Sequence, residues 1–167
     1  STHPLHNILV INNTLYNNGW TGGLNWGGGI SVDSSEVETV TVRNNLVSQN
    51  LYFQLAVAPG VPTTTLTIDH NLIDGYRGHD SEGETRGANY VEGAPLSADA
   101  GGADFHPLPG SPAIDAGVAD GAPADDFDGR ARPLDGNGDG TAAFDIGAYE
   151  MPYMPTRGFL PLVRRGP

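Results

Sequence analysis

Three stretches of the first half of the chain are the same sentence written three times. They are VINNTLYNN (Val10–Asn18), VRNNLVSQN (Val42–Asn50) and IDHNLIDG (Ile68–Gly75). Asn13, Asn45 and Asn71 fall at equivalent places, at spacings of 32 and 26 residues. Before each Asn the chain alternates apolar and polar, as in Val40-Thr41-Val42 and Leu66-Thr67-Ile68. That is the period of a strand with one buried face. Two further strand-like pieces, GISVD (Gly29–Asp33) and FQLAVAP (Phe53–Pro59), lie between the units. More than one strand per repeat, with an Asn at each turn, predicts a β-solenoid. Asn tolerates the left-handed backbone of a sharp turn, and stacked Asn amides can bond from coil to coil. The competing reading is an antiparallel β-sandwich with chance likeness among its strands. The inserts Gly19–Gly29 and Arg77–Tyr90 are expected as loops on one side.

The chain has 24 Gly and 13 Pro in 167 residues, so long helices are not expected. A net charge of −12 argues against nucleic acid and favours cations. Lys and Cys are both absent. An amine base, a disulfide and a thiolate metal site are thereby excluded. No apolar run reaches the length of a transmembrane span, and no signal peptide opens at Ser1. If the protein is secreted, the chain is expected to be a processed or truncated product.

The three units resemble right-handed parallel β-helix repeats of the pectate-lyase-like superfamily. DFHPLPGSPAIDAG (Asp104–Gly117), DFDGRARP (Asp126–Pro133) and DIGAYE (Asp145–Glu150) resemble, in that order, the C-terminal region of choice-of-anchor-type secreted bacterial β-helix proteins. The resemblance implies an all-β, right-handed parallel β-helix of about three rungs, and an extracellular or cell-surface location. The expected organisation is rungs over 1–103, an irregular C-terminal cap over 104–150, and a Pro-rich apolar tail over 151–167. Within the tail, Phe159, Leu160, Leu162 and Val163 are candidates for strand addition to a neighbour.

LDGNGDGTAAFDIGAYE (Leu134–Glu150) reads as a calcium loop. Calcium takes six to eight oxygens, which alternate residues of a flexible loop supply. With Asp135 first, Asn137 and Asp139 stand third and fifth, and the Thr141 carbonyl seventh. Position twelve is Ile146 rather than an acid, so the last ligand is Asp145, Glu150 or an acid of Asp126–Asp128. Eight acids against two Arg between Asp120 and Glu150 concentrate negative charge there. The ion is expected to be structural. The alternative is a set of solvated Asp-Gly turns.

No catalytic residues are assigned. A β-helix lyase or glycoside hydrolase is the alternative function, with Asp69 and Asp74 as neighbouring carboxylates and Arg43 beside a turn. His79 and Asp80 read as a solvated loop. Trp20 and Trp26, in a Gly-rich insert, are candidates for stacking on a polysaccharide in a glycan-binding or adhesion module. The sequon Asn12-Asn13-Thr14 falls in a turn where a buried role outweighs glycosylation. Nothing amphipathic precedes the first unit, so its strand edges are predicted to be open. Something is expected to stack on an open edge: upstream rungs lost by truncation, or another copy of the protein, giving a homo-oligomer or filament by end-to-end stacking.

Overall fold

The computed structural model describes residues 5–19, 27–78 and 83–155. Nearly all regular structure is strand, joined by short 3-10 turns at Thr63–Thr65 and Ala100–Gly102. The first unit supplies β1 (Ile8–Ile11), β2 (Thr14–Tyr16) and β3 (Ile30–Val32). The second supplies β4 (Val40–Arg43), β5 (Leu46–Ser48) and β6 (Leu55–Val57). The third supplies β7 (Leu66–Asp69) and β8 (Leu72–Asp74), after which comes the two-residue β9 (Val91–Glu92). A hairpin, β10 (Ser97–Asp99) and β11 (Asp104–Pro107), follows.

Equivalent strands of successive units pair in parallel. The orders are β1-β4-β7, β2-β5-β8-β9 and β3-β6. Val10 lies beside Val42, and Val42 beside Ile68; Thr14, Leu46 and Leu72 form a second row. The offsets of 32 and 26 residues are thus the register itself. Parallel pairing is incompatible with the antiparallel sandwich. Ile30 pairs with Leu55 in the third sheet.

Alternation decides what goes inside. Val40 and Val42 enter the core while Thr41 and Arg43 face away, and Val47, Leu55 and Ile73 join them from the other strands. These interior rows run from unit to unit. At about 25 cal/mol per Å² of apolar area they are the main source of stability. The row beginning at Thr14 faces the opposite way. Its Leu46 and Leu72 form a separate cluster with Ala113 and Ile146.

The turn Asn have two jobs that separate onto neighbouring residues. The left-handed backbone lies one residue earlier than the repeat suggests, at Asn12 (φ 55°), Asn44 (φ 54°) and His70 (φ 49°). Asn13, Asn45 and Asn71 instead carry the amide ladder. Asn13 Nδ2 donates to Asn45 Oδ1 at 2.9 Å, and Asn45 Nδ2 to Asn71 Oδ1 at 3.0 Å. A second ladder, not foreseen, links Asn18 to Asn50 Oδ1 and Asn50 to Gln54 Oε1.

Two expectations about loops change. Residues 83–92 are not a loop to one side. They run along the two later units: Glu84 bridges Ala56 of the second unit in antiparallel, Ala88 bridges Asp69 of the third in parallel, and β9 extends the second sheet. The edges of β6 and β7 are thereby occupied. Over its described residues, 108–155, the segment after β11 does not close an end of the stack. It runs back along the turns as a flank. Asn44 Nδ2 donates to the Val118 carbonyl, Asn12 Nδ2 to the carbonyls of Asp145 and Gly147, and the Ala148 N–H to Thr14 Oγ1. Asn12 is buried in these contacts, as its place in a turn suggested. Trp20, Trp26, His79, Asp80 and the apolar residues Phe159–Val163 lie outside the described residues. No described helix is long and apolar enough to cross a membrane.

Candidate functional site

The acidic loop is pinched at its neck by an antiparallel bridge between Leu134 and Ala143. Inside it, each polar side chain turns forward onto a backbone amide. The Asp135 oxygens accept from Gly138 N (2.7 Å) and Gly140 N (2.9 Å). Asn137 Oδ1 accepts from Asp139 N, and Asp139 Oδ1 from Thr141 N, both at 2.8 Å. Such turns need a backbone that winds back on itself, and Gly138 (φ 82°) and Gly140 (φ 90°) supply it. A carboxylate oxygen has two lone pairs, so one amide bond leaves each able to take another partner. Asp115 reaches the same loop from upstream, accepting from Gly136 N (3.2 Å) and Asn137 N (2.9 Å). The sequence offered no periodic signal for Asp115.

Asp145 and Glu150 occupy a different place. Both are essentially inaccessible to solvent. Asp145 accepts from Asp115 N (2.7 Å) and Met151 N (2.6 Å). Glu150 accepts from Arg132 Nη1 (2.7 Å), Asp145 N (2.9 Å) and Leu134 N (3.0 Å). Asp126 accepts from the amides of Asp128, Arg130 and Glu150. Among the described residues no three His, Cys, Asp or Glu side chains come together as a metal-holding group. The six candidate calcium ligands thus divide: Asp135, Asn137, Asp139 and Thr141 share an exposed loop, while Asp145 and Glu150 bind buried amides.

The flank has few strand ladders, so its buried N–H groups need other acceptors, and carboxylates are the strongest available. Burial pushes the Asp145 carboxyl up to about 7, against the two amides that favour its ionised form. Burial also raises Glu150, against its amide bonds and the Arg132 charge. Burial opposes ionisation of Asp126 too, but the amides of Glu150, Arg130 and Asp128 together hold it below the usual range.

The carboxylates considered for hydrolysis are committed singly. Asp69 is bound by Arg43 through Nε (2.5 Å) and Nη2 (2.9 Å), and that guanidinium holds its carboxyl below the ordinary value. Arg43 also bonds Asp120 of the flank, which makes it a clamp between sheet and flank. Asp74 accepts from Ser48 Oγ (2.8 Å) and Gln49 Nε2 (2.9 Å). One arrangement escaped the sequence reading. His106 Nε2 lies 2.8 Å from Asp128 and Nδ1 2.6 Å from Asp104, so both ring nitrogens face carboxylates. Asp128 first, then Asp104, raise its pKa. A ring held on both sides in this way ties β11 to the 126–129 turn and leaves no free nitrogen for base chemistry. Compared with known proteins, the chain matches no family model, no curated protein and no solved structure.

Proposed function

We propose that the chain is a right-handed parallel β-helix of about three rungs, acting as a structural module at a cell surface or outside the cell. In this reading it docks another chain through its first rung. The observation that carries it is an asymmetry between the two ends of the stack. Among the described residues no strand pairs on the outer edges of β1, β2 and β3, whereas at the other end residues 83–85 lie antiparallel on β6 and residues 88–92 lie on β7 and β8. A parallel crossover in one sheet is right-handed in nearly all proteins, which supports the handedness. An uncovered strand edge is a template for pairing, and the common devices that blunt one are missing from Ile8–Ile11. Residues 83–85 pair antiparallel with β6 and break the parallel repeat at that end, so one-ended docking is favoured over open polymerisation.

In the same reading the acidic loop holds calcium through Asp135, Asn137, Asp139 and the Thr141 carbonyl, with water completing the shell. The lone pairs left by the amide bonds support this. The ion would draw an exposed, strongly negative loop together, as a staple of the flank. Asp145 and Glu150 hold the flank whether or not an ion is present.

Sedimentation velocity over a wide concentration range, with electron microscopy of the same samples, tests the assembly reading. One-ended docking gives discrete complexes with a partner chain and no long filaments of the protein alone. Long filaments would overturn the one-ended form. A chain that stays monomeric and captures no β-rung partner would overturn the reading altogether.

A further inference from the structure

The chain holds two Asn-Gly pairs, Asn18-Gly19 and Asn137-Gly138. Such a pair can convert itself, because glycine has no Cβ to keep its nitrogen away from the preceding carboxamide. The Gly nitrogen attacks the Asn Cγ, and the Cγ–Nδ2 bond breaks. Nδ2 leaves as ammonia and carries off the proton that the Gly nitrogen gave up. Water then opens the resulting ring at one of its two carbonyls. The product is Asp, or isoaspartate with an extra carbon in the main chain. Overall a water enters and an ammonia leaves, with no oxidation. Both pairs are exposed, and both glycines sit at positive φ, 101° at Gly19 and 82° at Gly138. Exposure and backbone freedom therefore do not tell the two pairs apart, but their hydrogen bonds do.

Asn18 is committed to its neighbour. Its Nδ2 and its backbone N–H both donate to Asn50 Oδ1 at 2.9 Å, and its carbonyl accepts from Leu51 N at 2.8 Å. Swinging its Cγ onto Gly19 would break the second ladder. Asn137 is held the other way. Its Oδ1 accepts from Asp139 N (2.8 Å), which folds the carboxamide back over the intervening Gly138 nitrogen. The same N–H stabilises the negative charge that this oxygen gains during attack. The Gly138 N–H meets Asp135 Oδ1 at 2.7 Å, within the reach of a general base. Asp115 Oδ2 fixes the backbone just before, accepting from Asn137 N at 2.9 Å. The leaving Nδ2 makes only a long contact, 3.5 Å to Asp139 Oδ2. Nucleophile, proton acceptor and oxyanion donor are gathered around one carboxamide.

We infer that Asn137 is a self-modifying residue: in the folded chain the loop promotes its deamidation through Gly138, with Asp135 receiving the Gly138 proton, while the amide ladder protects Asn18. Neither the docking reading nor the calcium reading is needed for this. The change is one-way and adds a negative charge to the loop. Isoaspartate lengthens the main chain between the two residues and breaks the turn that Asn137 makes. Asp keeps the turn and puts a carboxylate in place of a neutral oxygen, and ligand charge is one of the quantities that set calcium affinity.

The test is incubation of the full chain at mildly alkaline pH with a chelator, so that no bound ion holds the carboxamide. Peptide mapping by mass spectrometry reads the mass gain at each Asn, and an isoaspartyl methyltransferase assay reads the branched product. In the folded chain residue 137 is expected to convert roughly tenfold faster than residue 18. In urea the two should convert at similar rates, and Asn137 no faster than in the fold. Asp135→Ser, which leaves a short acceptor but no carboxylate, should slow conversion at 137 and not at 18. Equal rates at the two positions in the folded chain overturn the inference. Faster conversion of Asn137 in urea than in the fold also overturns it, because the loop would then protect the residue. An unchanged rate in Asp135→Ser overturns the role given to that carboxylate. Comparing the parent chain folded and unfolded needs no variant, so misfolding of Asp135→Ser cannot hide the answer.

Discussion

The stacked sheets and the flank face the same demand and meet it differently. In the sheets, buried N–H groups find carbonyls of the next unit, and the turns are closed by neutral amides stacked in file. In the flank, buried N–H groups find carboxylates: Asp126, Asp145 and Glu150 each accept from two or more backbone amides. An amide ladder is neutral and can be extended unit by unit. A carboxylate accepts without needing a ladder, so it can organise irregular backbone, but it brings a charge that burial penalises. The acid-rich composition of Asp120–Glu150 is therefore in large part scaffolding.

This contrast can be broken at its most expensive point. Arg132→Ala leaves Glu150 charged, buried and without its cation, which is expected to cost about 3–5 kcal/mol in urea unfolding. A loss under about 1 kcal/mol would mean that the backbone amides alone satisfy Glu150. In the sheets the matching change is Asn45→Ala. It strands the Asn13 donors and the Val10 carbonyl, for a loss of about 1–3 kcal/mol. The same change at Asn71 should cost a similar amount. At Asn13, where water reaches the open edge, it should cost less. Equal losses at all three positions would show that the first unit is no more open than the others.

The two regions should also part in their response to pH. The Asp145 carboxyl is raised from near 4 to about 7 in the folded state. Between those values the folded chain holds a proton that the unfolded chain has lost, so this contribution to stability falls as pH rises from about 4 through 7. His106, also raised, adds a further loss as pH rises through its folded value. Urea midpoints taken from pH 4 to 8 should decline, and Asp145→Asn should flatten most of the slope below pH 7. Amides of the stacked sheets should exchange with an unchanged pattern. A flat profile in the parent protein would place the Asp145 proton elsewhere. The smallest effect concerns the exposed loop. Calcium at ten times its dissociation constant should add about 1.4 kcal/mol, or roughly 3–6 °C in Tm. Asp135→Ala should remove that shift without altering the ladders. No response to calcium or to chelation would leave the loop as a set of Asx turns.

Much of the stacked region was legible in the sequence because its pattern is local and repeated. Val10, Val42 and Ile68 announced a shared face, and Asn13, Asn45 and Asn71 a shared turn. The left-handed residue was misplaced by one position because both members of each Asn pair suit a turn, and only the backbone path separates the two roles. The second ladder was missed because Gln54, its last member, follows Asn50 within the same unit instead of standing in the next repeat. The cover formed by residues 83–92 was read as a loop because its pairings are isolated bridges and a two-residue strand, too short for any period to show.

The sequence by itself determined that the chain is all-β, which residues repeat, in what register the units pair, and that cysteine and lysine chemistry have no part. A strand's period and an Asn at its turn are written in neighbouring residues, so they survive without coordinates. Only the tertiary structure decided which acids serve the fold and which stay exposed, that residues 108–155 lie along the turns, and that residues 83–92 pair with β6, β7 and β8. Those outcomes depend on single hydrogen bonds between residues far apart, such as Asn12 with Asp145 and Gly147, and no spacing in the chain encodes where such partners will meet.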